Sequence, residues 1–167
     1  MRPIVIIPAR LGATRLPEKP LADVAGVPLV VQVWRRAIAA AIGPVLVACD
    51  DPRIAEAVAA EGGTAVTTES ALASGSDRVW QALTRHDPDG AHDVVVNLQG
   101  DLPTIAPESL RAAIAPLETE AVDIATIAAP IVEPQERHDP NVVKVAAPLD
   151  ETDPNSRARA LYFSRCA

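Results

Sequence analysis

Three short stretches of this sequence, "PIVIIPA" (3–9), "PVLVACD" (44–50) and "HDVVVNLQGD" (92–101), are apolar runs rich in β-branched residues. Such a run offers no polar face to water, so the strand it forms must be covered on both sides. Strands of that kind belong to parallel sheets sandwiched between helices. "TAVTTE" (64–69) reads as a further strand of the same set.

The intervening segments carry the helices. In "GVPLVVQVWRRAIAAAIG", Leu29, Val33, Ala37 and Ala40 share one face, with Val30 and Trp34 alongside. That spacing predicts a helix over 28–41, with Pro28 near its first position and Gly43-Pro44 ending it. Asp51-Pro52 opens a helix through "RIAEAVAAEGG", and "SDRVWQALTRHD" (76–87) makes another that Ser76 or Asp77 can cap. "APESLRAAIAPL" (106–117) is a helix that Pro107 can start. "VDIATIAAPI", "NVVKVAAP" and "ARALYFS" read as later strands, with 147–159 a surface hairpin or short linker. Strand and helix alternate through short links, which implies right-handed crossovers and a mainly parallel α/β sheet.

At 167 residues the chain has the length of one domain with a real core, and its apolar content of 49% can fill it. The aromatic residues are Trp34, Trp80, Tyr162 and Phe163, so the core is built from Ala, Val, Leu and Ile. A net charge of −7 opposes broad binding to nucleic acid or an anionic membrane. No apolar run reaches the length of a membrane span. Cys49 and Cys166 have no partners at metal-ligand spacing and form no disulfide framework, which points to a reducing, cytoplasmic setting.

Against that acidic background, "IPARLGATRLPEKPL" (7–21) gathers Arg10, Arg15 and Lys19 on the loop after the first strand. It lacks the glycine spacing of the dinucleotide and Walker loops. Pro17 and Pro20 bias Leu16 and Lys19 towards extended backbone, so no helix is expected before about residue 27. A solvated basic loop would have these residues. So would a cradle for a polyphosphate, because Arg forks match phosphate oxygens and Lys supplies a compact charge. Gly12 and Ala13 leave the backbone N–H groups open to such a ligand.

"NLQGDLP" sets Asp101 at a strand end, where it is either a turn residue bonding its own backbone or a carboxylate for Mg²⁺. "SGSDR" (74–78) is a helix cap whose small residues also let backbone groups read the edge of a base. All three stretches fall at the carboxyl edge of the expected sheet, where open α/β sheets bind ligands. His86, His92 and His138 are scattered surface or loop residues, and no Ser/His/Asp order or G-x-S-x-G elbow is present. Catalysis by a protein nucleophile is therefore not expected.

"IIPARLGATRLPEKPL", "SGSDR", "VVVNLQGDLP", "NVVKV" and "ALYFSR" together resemble the 3-deoxy-manno-octulosonate (Kdo) cytidylyltransferases, over essentially the whole chain and in the family's order. The resemblance implies a three-layer, Rossmann-like nucleotide-diphospho-sugar transferase fold with a mainly parallel, mixed sheet. It implies one nucleotidyltransferase domain over 1–167, equivalent to the N-terminal two-thirds of the family's chain. The implied reaction is CTP + Kdo → CMP-Kdo + diphosphate, with Mg²⁺, in the cytoplasm, for lipopolysaccharide synthesis. The implied partners are CTP and Kdo, and full-length members are homodimers.

Carried over by position, Arg10, Arg15 and Lys19 hold the triphosphate, with Lys19 nearest the α-phosphate. Pro8, Ala9 and Ala13 accompany them, and Ser74, Gly75, Ser76 and Arg78 surround the cytidine. Gln99, Tyr162, Ser164 and Arg165 line the sugar side, and Asp101 binds Mg²⁺. Lys19, Arg10 and Asp101 form the implied catalytic set. Two alternatives accompany this expectation: a relative acting on an 8-amino Kdo analogue, and a truncated module that binds CTP without turnover.

This sequence departs from the family's pattern in three places. Ala13 stands where many members have Ser, Leu102 where Glu is common, and Glu18 where a small or polar residue is usual. Family members also continue beyond the equivalent of residue 167, with a sugar-binding His, a second metal Asp and much of the dimer contact. If 167 residues is the whole polypeptide, the expectation is an incomplete two-metal site.

Overall fold

A computed structural model describes residues 1–12, 16–119, 121–150, 152–153 and 155–165. Strand β1 (Pro3–Ala9) leads through the basic loop and a single 3₁₀ turn (Lys19–Leu21) to a small antiparallel pair, β2 (Asp23–Val24) and β3 (Val27–Pro28). Helix α1 (Leu29–Ala40), strand β4 (Val45–Cys49), helix α2 (Pro52–Ala59) and strand β5 (Thr64–Thr67) follow. Helix α3 (Gly75–His86), strand β6 (Val94–Asn97) and helix α4 (Pro107–Thr119) complete the main body. Strands β7 (Lys144–Ala146) and β8 (Tyr162–Ser164) form an antiparallel pair of their own.

The central sheet has the order β5-β4-β1-β6 and is parallel throughout. The antiparallel content expected of a mixed sheet sits in the two small separate sheets.

Alternation along β1 explains the layering. Val5, Ile7 and Ala9 point to one face, where Val30, Val33 and Ala37 of α1, Ile54 and Val58 of α2 and Leu110 of α4 cover them. Ile4 and Ile6 point to the other face, against Leu46, Ala48 and the α3 residues Val79 and Ala82. Each fully buried aliphatic side chain contributes about 1.5–3 kcal/mol, so β1 and β4 anchor the fold from both sides. The result is a three-layer α/β structure with α1, α2 and α4 on one face and α3 on the other. The connections through α1 and α2 step outward from β1, and the connection through α3 returns across the opposite face to β6. The order reverses between β1 and β6, which places the ligand crevice at their carboxyl ends.

Two helix caps differ from the sequence-based expectation. Helix α1 closes within the expected 28–41, but Ala41 makes the stop instead of Gly43: it lies in the left-handed region at φ 53° with its N–H donating to Ile38 O. Gly43 serves packing instead, because a Cβ there would lie 2.1 Å from Pro3 O. The cap of α3 is Ser74, whose Oγ accepts from Asp77 N–H at 3.1 Å; Ser76 and Asp77 lie inside the helix.

The segment "VDIATIAAPI" contains no strand. Ile124 and Val132, in and just beyond it, are 88% and 80% exposed. A strand needs a neighbour to take its backbone groups, and no described strand pairs with this segment. Strands β7 and β8, on either side of the stretch expected to be a surface hairpin or short linker, pair antiparallel, as the hairpin alternative requires.

Candidate active site

Where β1 ends, the chain turns out over the sheet edge and Arg10 stands exposed. Leu11 N–H donates to Asp50 Oδ1 at 3.2 Å, which ties the start of the loop to the end of β4. Ala13 and Arg15, both expected to touch nucleotide, lie outside the described residues. The loop re-enters at Leu16, and Lys19 N–H donates to Leu16 O at 3.3 Å.

The 3₁₀ turn at Lys19–Leu21 falls where extended backbone was expected. Pro20 is tolerated there because an N–H in the first turn of a helix needs no partner. Glu18 enters this turn in the left-handed region, at φ 54°. Its carboxylate is held by Arg53 of α2, Nη1 to Oε1 at 2.6 Å, and Asp51 pairs with the same guanidinium. The negative charge that Glu18 brings to the basic loop is thereby matched locally. Hydrogen bonds to Arg53 also pull the Asp51 carboxyl below its ordinary value.

Asp101 arrives from the turn after β6. Gly100 packs against the end of β1 so closely that a Cβ would lie 2.8 Å from Pro8 O. That contact presents Asp101 opposite the loop, and Lys19 Nζ donates to its Oδ2 at 2.8 Å. The two side chains remain 38% and 51% exposed. A pair this open to water is worth no more than about 1 kcal/mol, so a competing phosphate can separate it.

These elements enclose a cleft of about 330 Å³ at the carboxyl ends of β1 and β6. Pro8, Ala9, Arg10, Lys19, Ser74, Gly75, Arg78, Gln99 and Asp101 all line it, from stretches remote in sequence. Pro20, Leu72, Ala73 and Gly100 also contribute to the wall. Sequence reasoning had not singled those four out as site residues, although the G-D step at 100–101 was a signal for one of them. The positive end of α3 opens on the cleft at Ala73 to Gly75, which favours an anion.

Other expected residues sit differently. Ser76 is set back from the cleft wall, where its Oγ accepts from Asn97 Nδ2 at 3.4 Å, and Gln99 Nε2 donates to Asn97 Oδ1 at 3.4 Å. Arg78 lines the cleft, yet its guanidinium is buried and donates to Thr68 Oγ1 and Asp50 Oδ2. Tyr162, Ser164 and Arg165 lie in or beside β8, away from the cleft lining. Arg165 Nη1 donates to Pro140 O at 2.9 Å, and its own carbonyl accepts from Lys144 Nζ at 2.9 Å.

Of the histidines, His92 has a carboxylate partner. Its Nδ1 lies 2.9 Å from Asp87 Oδ2, in the turn between α3 and β6 and outside the cleft. The described residues contain no group of three His, Cys, Asp or Glu that could hold a metal by itself. They also contain no helix long and apolar enough to cross a membrane.

A doubly wound parallel sheet, with Lys19, Arg10 and Asp101 lining a cleft at its switch point, defines the chain as a three-layer α/β domain. The sequence model of the family described as Cytidylyltransferase matches residues 4–167, and the chain belongs to that family. A 3-deoxy-manno-octulosonate cytidylyltransferase of Xanthobacter autotrophicus is 62% identical over 165 residues, covering 98% of this chain and 63% of the relative. Its counterpart in Rhodospirillum centenum is 58% identical over 164 residues, with 98% and 63% covered.

Among solved structures, that of CMP:2-keto-3-deoxy-manno-octonic acid synthetase complexed with CTP is similar, with a TM-score of 0.81 and 34% identity. That match covers 99% of this chain and 65% of the other. A cytidylyltransferase from Leptospira borgpetersenii, 21% identical with a TM-score of 0.61, shares the fold over 72% of this chain and 51% of its own. The chain thus spans a little under two thirds of the length of the curated relatives it matches.

Proposed function

We propose that the protein transfers the cytidylyl group of CTP to 3-deoxy-manno-octulosonate, giving CMP-Kdo and diphosphate. The observation that carries this reading is the Lys19–Asp101 pair, 2.8 Å across the mouth of the cleft, with Arg10 and the α3 N-terminus around it. The names and closeness of the curated relatives support the choice of nucleotide and sugar.

The anomeric hydroxyl of the sugar attacks the α-phosphorus in line; the new P–O bond forms as the bond to the β-phosphate oxygen breaks and diphosphate leaves. No protein nucleophile is needed, so the work of the chain is positioning and charge neutralisation. Lys19 leaves Asp101 and turns to the α-phosphate, where negative charge grows in the transition state. Arg10 and Arg15 hold the outer phosphates, and Ser74 and Gly75 border the cytidine. Gln99, steadied by Asn97, faces the acceptor.

Asp101, released from Lys19, suits Mg²⁺. Its carboxylate is exposed, and this ion takes few protein ligands while keeping waters and phosphate oxygens. When bound, Mg²⁺ neutralises phosphoryl oxygens and eases loss of the attacking proton. The same reading carries a cytoplasmic setting and a place in lipopolysaccharide synthesis. It also carries a homodimer, whose contact would cover apolar groups such as Leu161, 74% exposed.

Diphosphate release from CTP, with and without Kdo, tests the proposal. Release that requires both substrates is expected. CTP binding without release would reduce the protein to a nucleotide-binding module, and faster turnover of the 8-amino analogue would move the specificity to that sugar.

A further inference from the structure

Beneath the cleft a second polar cluster takes no part in the chemistry above. Asp50 follows directly on β4, and its side chain is 10% exposed. Oδ1 accepts from Leu11 N–H at 3.2 Å, and Oδ2 accepts from Arg78 Nη2 at 3.4 Å. The Arg78 side chain is 2% exposed, and its Nη1 donates to Thr68 Oγ1. Thr68 Oγ1 in turn donates to Cys49 O at 3.0 Å, and Thr68 N–H donates to the same carbonyl at 2.7 Å. The ends of β1, β4 and β5 and the first turns of α3 therefore meet in one buried network.

We propose that Asp50 is a positioning residue for the phosphate loop: clamped by buried Arg78, it fixes the backbone at Leu11 and so aims Arg10 into the cleft. The inference rests on the proposal that CTP is the ligand. A buried guanidinium must keep its partner, because leaving either charge alone in the interior is strongly unfavourable. Asp50 is therefore held in one place by α3 and lends that rigidity to a loop that must present its cations in a defined geometry. The charges of Asp50 and Arg78 cancel, so the contribution to triphosphate binding is geometric. Asp50 itself is not among the residues lining the cleft. Arg78, expected from the resemblance to touch cytidine, acts here through Asp50.

The test compares the protein with its Asp50→Ala and Asp50→Asn variants by amide exchange at Leu11 and by calorimetric binding of CTP and of CMP. A hydrogen bond to a carboxylate protects the amide well, so Asp50→Ala should speed Leu11 exchange about tenfold or more. The β1 amides of Ile6 and Ile7 should keep their protection. Affinity for CTP should fall about tenfold and that for CMP less than about threefold, because the loop serves the outer phosphates. If Asp50→Ala fails to fold, Asp50→Asn replaces it; it removes the charge that holds Arg78 and should speed Leu11 exchange about threefold.

Unchanged CTP affinity and unchanged Leu11 exchange overturn the inference. So does an equal loss for CTP and CMP with exchange raised throughout β1, which marks a purely structural residue. If the unaltered protein binds no CTP, the proposed function fails, and the Leu11 exchange still decides whether Asp50 holds the loop.

Discussion

Lys19 Nζ and Asp101 Oδ2, 82 residues apart in sequence, meet at 2.8 Å across the mouth of the cleft. In the proposed reaction each has another partner: Lys19 a phosphate, Asp101 a cation. Their mutual contact holds both at the mouth of the cleft without burying either, so the pair is easily opened.

Replacing either member should separate their roles. Lys19→Ala removes a charge that matters most in the transition state, so kcat should fall about 10²–10³-fold while KM for CTP rises far less. A change in KM alone, in steady-state diphosphate release, would mean that Lys19 only binds substrate. Asp101→Asn should abolish turnover at any magnesium concentration, and near-normal release would sink the metal assignment.

Gly100 is constrained by contact, since a Cβ would sit 2.8 Å from Pro8 O. Gly100→Ala must push the turn away from β1, at a cost of about 1–3 kcal/mol. Denaturant unfolding reads that loss. Binding of CTP should weaken with it, because Asp101 is the next residue.

Ala41 caps α1 from the left-handed region, at φ 53°. Glycine adopts that conformation without the Cβ clash, so Ala41→Gly should stabilise the protein by about 0.5–1 kcal/mol despite the usual penalty for glycine. A lower thermal midpoint would contradict this origin of the helix stop.

Asp87 accepts hydrogen bonds from the N–H groups of Ala91 and His92, and His92 Nδ1 adds a further contact, which together hold its carboxyl down at about 2. A depressed carboxyl contributes stability above its ordinary value of 3.8 that is lost as pH falls through about 2. Between those limits Asp87→Asn should flatten the acid limb of the stability curve relative to the parent protein. Urea midpoints measured across that window check the slope, and identical curves would rule the linkage out.

Local sequence carried much of the architecture. "PIVIIPA" could only be a strand buried on both faces, and Leu29, Val33 and Ala37 could only share a helical face, because side-chain periodicity is a property of the chain alone. The same holds for the charges at each loop: the sequence showed Arg10 and Lys19 as cations after the first strand and Asp101 as a carboxylate at a strand end, and those stretches do line one cleft. What periodicity cannot supply is a partner. "VDIATIAAPI" has the composition of a strand and finds no neighbouring strand among the described residues. Ser74 caps α3 instead of Ser76, because the helix begins at Gly75 and the extended Ser74 places its Oγ where Asp77 N–H can donate.

The sequence by itself determined the class of fold and the residues that could do chemistry, since propensity, pattern and charge act over a few positions. Only the tertiary structure decided that Lys19 reaches Asp101, that Arg78 turns inward to Asp50, and that Glu18 is answered by Arg53. Each of those contacts joins segments remote in sequence, at the ends of strands or in the first turns of helices, and their distances follow from sheet order and side-chain burial, which no local stretch contains.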